Sequence, residues 1–167
     1  MTTEPMAGKH SISPAVRQAA HAALEHQVNA RVGARLITLM DIDPVTGEGF
    51  RFYSNMPDVY PLAGRKKLPP GVWVDTVITN QRIFVASTIE EIAEVFADHQ
   101  LIGSLGCGSV INIPLTVGPQ VFGTLNCLDA PGAYTPAKVT AVEGLQDIGL
   151  ICLLLEHYNR RMEANNA

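Results

Sequence analysis

No stretch of this chain approaches the ~20 consecutive apolar residues of a membrane-spanning helix; its longest apolar block, Ile148 to Leu155, is far shorter. The N-terminus also lacks the basic-then-apolar order of a secretory signal, so a cytoplasmic location with no membrane partner is expected. No run of Lys and Arg is long enough to follow a phosphate backbone. Twelve basic residues stand against sixteen acidic ones, a net charge of −4, which argues against nucleic acid as a partner. Cysteine is scarce: Cys107, Cys127 and Cys152 form an odd set without CxxC or Cys/His spacing. That pattern argues against a disulfide framework or a structural zinc site, so the thiols are read as reduced and neither metal nor cofactor is implied. Tryptophan occurs once, at Trp73.

What is present fits one domain, because 167 residues suffice to bury about two thirds of the surface that the unfolded chain exposes. Residues 1–13 are polar and aperiodic and read as a flexible tail, 14–162 as the domain, and 163–167 as a C-terminal tail. Ser13-Pro14 supplies an N-cap followed by Pro at the first helical position, predicting a helix from about Pro14 to Val32. Arg35 to Asp41 and Gly49 to Ser54 flank the turn-rich DPVTGE and read as an antiparallel hairpin. Asn55 to Pro70, with four prolines and GRKK, reads as an irregular excursion of the kind that serves as a binding segment. A short helix is expected within Gly71 to Gln81, a strand at IFVAS, and a second short helix from Thr88, with Glu91 placed for a capping box and Asp98-His99 closing it.

The closing helix is expected from Thr135-Pro136 to about Met162. Its segment IGLICLLL is apolar all the way round, more than one sheet face requires. A homodimer through the N- and C-terminal helices is the simplest cover, and full burial within the monomer the alternative.

The richest stretch is Gly103 to Leu128, where SVINIPL and VFGTLNCL read as strands folded back at Val117-Gly118-Pro119. Each carries an amide, Asn112 or Asn126, among apolar neighbours. A polar side chain there costs about 1–3 kcal/mol unless something hydrogen-bonds it. Backbone or a bound ligand would supply that partner.

The order of elements, with SVINIPL followed by VFGTLNCL, resembles the GAF domain family over roughly residues 14 to 160. The resemblance is sharpest in the final strand pair, where V-x-x-P-L, a turn and x-x-G-T/V-L are typical. It implies an α+β fold: a central antiparallel sheet of about five to six strands, N- and C-terminal helices on one face, and a ligand pocket with short helices and loops on the other. It also implies a frequent dimer. The N-K-F-D-E signature of cyclic-nucleotide binding is absent, as is the Cys-His pair of bilin attachment. Free methionine sulfoxide reductases are similar over the same length, but their cysteines would fall near Gly64, Trp73 and Gly103. No kinase, cyclase or DNA-binding segment follows the last helix, so the expectation is a stand-alone sensor or regulatory module acting through a partner protein, or a domain that is itself the catalyst.

Candidate ligand-binding residues follow from chemistry and placement. Alternation puts Arg51 and Tyr53 together, away from Phe50 and Phe52, as a cation and a phenol for an anionic group. Lys66 and Lys67 in the long loop either close over an anion or face solvent. Tyr60 is an aromatic wall, and Trp73 a plate for a planar ligand or a packing residue. Asn112, Asn126 and Thr124 share alternation and can read a ligand's hydrogen-bonding edge, or satisfy loop backbone. The loop from Asp98 to Ser109 gathers a carboxylate, His99, the Cys107 thiol and hydroxyls. If His99 approached Cys107 it would lower the thiol pKa, with Gly106 and Gly108 offering N–H groups to an oxyanion. A small hydrolase or isomerase using Cys107, His99 and Asp98 is therefore the alternative to a domain binding a small polar, anionic or heteroaromatic metabolite. Cys127 and Cys152 are read as core. His21, His26 and His157 are read as solvent-compatible helix residues, and His10 lies in the tail.

Overall fold

The computed structural model describes residues 12–165, so the tail expectation for 1–11, with His10, and for 166–167 lies outside the described residues. Helix α1 spans Pro14–Arg31, opened as expected by Ser13, whose hydroxyl accepts from the Val16 N–H. Strands β1 (Leu36–Asp43) and β2 (Glu48–Ser54) form the first hairpin. A two-residue strand β3, Lys66–Lys67, pairs with Glu48 and Gly49. The excursion read as wholly irregular thus contributes the edge of the sheet. A π-helix follows at Val74–Thr79, then β4 (Phe84–Ala86) and α2 (Ile89–Ala93).

Asp98 does not close α2. It stands at the N-terminus of a separate helix α3, His99–Ser104. Strands β5 (Ser109–Val117) and β6 (Gln120–Asp129) form the second hairpin. The closing helix is two helices, α4 (Pro136–Ala141) and α5 (Leu145–Ala164). Gly144 between them has φ +84°, a left-handed conformation that glycine adopts without a Cβ penalty and that ends a helix. The Arg31 guanidinium donates to the Glu143 carbonyl, one of those the break leaves unpaired.

The six strands form one antiparallel sheet in the order β3-β2-β1-β6-β5-β4. Helices α1 and α5 cover one face. Ile37, Leu39, Ile111, Ile113, Leu125 and Cys127 point into that layer with Leu24 and Val28 of α1 and Leu145 and Leu153 of α5. Gly149 lets α5 approach closely, because a Cβ there would stand 2.9 Å from a Leu115 methyl. The opposite face is covered by α2, α3, the π-helix and the loop between β2 and β3, in two apolar clusters. One gathers Leu36, Val110 and Leu128 with Tyr60, Ile92 and Ile102. The other gathers Ile42 and Val121 with Trp73 and Val77, and Phe84 and Phe96 border both.

On α5 the residues Gly149, Cys152 and Leu153 are buried, while Ile151, Leu154 and Tyr158 keep about half their surface exposed. The monomer therefore covers only part of the all-round apolar segment. Among the described residues, no helix is long and apolar enough to cross a membrane.

Candidate functional site

The amides of β5 and β6 meet. Asn112 and Asn126 are direct cross-strand partners, and Thr38 of β1 is the partner of Asn126 on its other side. All three side chains face away from α1 and α5, as the period-two alternation of their strands requires. The Trp73 indole N–H donates to Asn112 Oδ1 at 2.9 Å. Asn112 Nδ2 donates to Asn126 Oδ1 at 2.6 Å, and Asn126 Nδ2 donates to Thr38 Oγ1 at 3.1 Å. A polar row thus crosses the middle of an apolar surface between the two clusters. Thr124 lies two residues before Asn126 on the same face and is fully buried. Its hydroxyl has no hydrogen-bond partner among the described residues.

The sequence reading singled out Trp73, Asn112, Thr124 and Asn126, and the structure brings these four to one region. Thr38 was missed. Its signal was the same as that of the amides, a hydroxyl inside the apolar run LITLM.

Arg51 and Tyr53 do not share a face. The β1–β2 ladder slips between Leu39 and Met40, so that Leu39 opposes Tyr53 while Met40 opposes Arg51, leaving Phe52 as the extra residue of a bulge. Tyr53 turns toward α1, where its hydroxyl donates to Glu25 and its ring lies 4.1 Å from the His21 ring. Burial, followed by the Glu25 contact, pushes its pKa upward. Arg51 turns to the other face, donating to the Pro61 carbonyl at 2.6 Å and stacking over Tyr60 at 3.8 Å. The Tyr60 hydroxyl donates to Asp98 at 2.6 Å, and Asp98 lies 3.9 Å from Arg51. This trio ties the β2–β3 loop to the start of α3, with its charges paired internally. Lys66 and Lys67 are exposed on the edge strand.

Cys107 is buried, and burial pushes its thiol pKa up, with Arg35 opposing the shift. The His99 Nδ1 contacts the Phe96 carbonyl at 3.1 Å. Among the described residues, no hydrogen bond or ion pair joins His99 to Cys107. The glycine N–H groups read as an oxyanion site are already used: Gly106 donates to Gly103, and Gly108 donates to Asp129 at 2.8 Å. Ser109 donates to the Ala130 carbonyl at 2.7 Å, tying β5 to the end of β6. The chemically dense loop is thus occupied with holding its own turn.

His157 is partly exposed on α5, as expected, and is also partnered. Its Nε2 lies 2.6 Å from Asp41, which Arg160 approaches at 3.0 Å. Among the described residues, no group of three or more His, Cys, Asp or Glu could hold a metal ion.

Comparison with known proteins agrees with this architecture. No curated protein matches the chain. The GAF domain of a two-component sensor histidine kinase from Bacillus halodurans is similar at 11% identity and TM-score 0.64, covering 84% of this chain and 95% of its own. A GAF domain/HD domain protein from Geobacter sulfurreducens is similar at 13% identity and TM-score 0.61, covering 89% and 94%. A type II free methionine-R-sulfoxide reductase from Thermoplasma acidophilum is similar at 10% identity and TM-score 0.59, covering 83% and 91%. At these identities the likeness is one of fold. The family model for the GAF domain matches residues 16–149, and the chain belongs to that family of small-molecule-binding sensory and regulatory modules.

Proposed function

We propose that this domain binds a small polar metabolite, anionic or heteroaromatic, over the face of the sheet opposite α1 and α5, and passes that signal to a partner protein. One observation carries the reading: the row Trp73–Asn112–Asn126–Thr38, with Asn126 half-buried and the other three buried, on an otherwise apolar surface. Three polar strand residues in register are an expensive way to fill a core, since apolar residues of similar size would pack there without needing partners. The buried Thr124 hydroxyl beside them adds an unmet hydrogen bond. Dimerisation through the terminal helices belongs to the same reading and is supported by the exposed stripe Ile151, Leu154 and Tyr158 on α5. The cysteine-enzyme alternative lacks comparable support, because burial moves the Cys107 thiol away from activation.

A melting-temperature screen of metabolites tests the proposal. A ligand of the native state stabilises it by about 2.7 kcal/mol at a hundredfold excess over its Kd. The expected result is a metabolite that raises the melting temperature of the native chain and loses that effect in Asn126→Ala. Stabilisation of equal size in that variant would move the site elsewhere.

A further inference from the structure

We propose that the Trp73 indole is an internal stand-in for the ligand, and that the site takes an uncharged, planar N–H heteroaromatic ring, which displaces Trp73 and donates to Asn112. This inference rests on the ligand-binding reading above.

The direction of the polar row is fixed by chemistry. An indole nitrogen only donates, so Asn112 must turn its oxygen toward Trp73 and its NH2 toward Asn126. Asn126 then passes its own NH2 to Thr38. The open end of the row is consequently an acceptor, Asn112 Oδ1, and anything that replaces Trp73 must bring a donor. Leaving that buried oxygen bare would forfeit the bond that the indole now makes. The Thr124 hydroxyl, unpaired in the present arrangement, is a second polar point on the same face for an edge of the incoming ring.

Charge narrows the class further. Arg51, the cation singled out in the sequence for an anionic ligand, is engaged by the Pro61 carbonyl, the Tyr60 ring and Asp98. Lys66 lies exposed at the outermost strand. Among the described residues, no charged side chain hydrogen-bonds to Trp73, Asn112, Asn126 or Thr38. An anion placed there would be buried without a counter-charge, which is far costlier than burying a neutral ring with its hydrogen bonds met. The surroundings suit such a ring: Phe96 meets the indole edge-on at 6.4 Å, with Ile42, Val77 and Val121 alongside.

Trp73 is also carried on a segment with the means to move. It stands at the N-terminus of the π-helix, a wound-out form found often at functional sites. Gly71 ahead of it has φ +151° and open space where a Cβ would be. Gln81 behind it has φ +53°, the one positive value among the described non-glycine residues. At Gln81 such a conformation is held by its surroundings rather than by preference, and backbone of this kind concentrates at segments that switch.

Benzimidazole, an uncharged N–H ring, and 1-methylbenzimidazole, which lacks the donor, are the probes, applied to the full chain, Trp73→Ala and Trp73→Phe. Removing the internal competitor is expected to tighten benzimidazole binding by about tenfold in Trp73→Ala, with no comparable gain for the methylated ring. In the native chain, saturating benzimidazole is expected to shift Trp73 emission toward that of a water-exposed indole. If Trp73→Ala does not fold, Trp73→Phe, which keeps a ring but no donor, must still bind benzimidazole more tightly than the native chain. Equal affinity in native and variant chains, equal binding of both probes, or no binding to a folded variant overturns the proposal. A metabolite that stabilises the native chain through Asn126 while Trp73 emission stays unchanged would overturn it and leave the ligand-binding reading standing. Loss of both would remove the two together.

Discussion

Asn112 and Asn126 sit directly opposite one another on neighbouring central strands, and the first hands an amide proton to the second across 2.6 Å. Their pairing turns two isolated polar residues into one continuous row that reaches from the π-helix to β1. Asn126→Ala would leave Asn112 Nδ2 and the Thr38 hydroxyl without their partner. A loss of about 1–3 kcal/mol is expected, measured by urea unfolding. A loss of no more than about 0.3 kcal/mol, the size of an ordinary surface substitution, would mean that the row is not held together as described.

Gly123 lies in β6 opposite Asp41 and Leu115. A Cβ at this position would run into the Met40 carbonyl oxygen, which is backbone and cannot swing aside. Gly123→Ala is expected to cost about 1–3 kcal/mol or more, read from the urea midpoint. Gly118→Ala, in the turn before β6 with open space around it, should cost only the left-handed backbone penalty of about 1–2 kcal/mol.

The buried thiols predict a pH dependence. Burial pushes Cys127 up to about 12 and Cys152 to about 11. The folded chain therefore keeps these protons where the unfolded chain has released them, so stability falls as pH rises through the unfolded value near 8.5. The slope is up to about 1.4 kcal/mol per pH unit for each thiol, and it ends once the folded thiols ionise. Buried Tyr60 and Tyr134, raised in the same direction by burial, deepen the fall. Urea titrations across the alkaline range should show this decline, with a shallower one in Cys127→Val.

Cys107 has the wrong surroundings for a nucleophile, being buried with a raised pKa. Iodoacetamide near neutral pH is expected to label it slowly in the native chain and rapidly after unfolding. Rapid native labelling would favour the alternative, a hydrolase or isomerase using Cys107, over the binding reading.

The α5 stripe makes a prediction about assembly. Leu154→Glu, on the exposed side of the helix, is expected to convert a dimer into monomer in sedimentation velocity while leaving the melting temperature of the monomer nearly unchanged. A native chain that sediments as a monomer at high concentration would remove the dimer from the proposed function.

Much of the fold was legible because local chemistry decides it. Ser13-Pro14 and Thr135-Pro136 cap helices where they were read to, and the alternation in SVINIPL and FGTLNCL placed both amides on one face. The amides also marked the candidate site, since a polar residue in a central strand needs a partner. What escaped depends on features that periodicity does not encode. A one-residue bulge at Phe52 turned Tyr53 to the helix side and separated it from Arg51. Gly144 broke the closing helix through a backbone conformation that the surrounding helix-forming residues mask. The pairing of His157 with Asp41 joins positions far apart in sequence, which spacing alone cannot reveal.

Trp73 is the chain's single tryptophan, so a 15N-labelled sample shows one indole N–H signal, and that proton is the one bonded to Asn112. Adding a metabolite that stabilises the domain is expected to move this signal in a saturable way, at the same concentration that raises the melting temperature. A stabilising metabolite that leaves the signal in place would contradict binding at the Trp73–Asn112 end of the polar row.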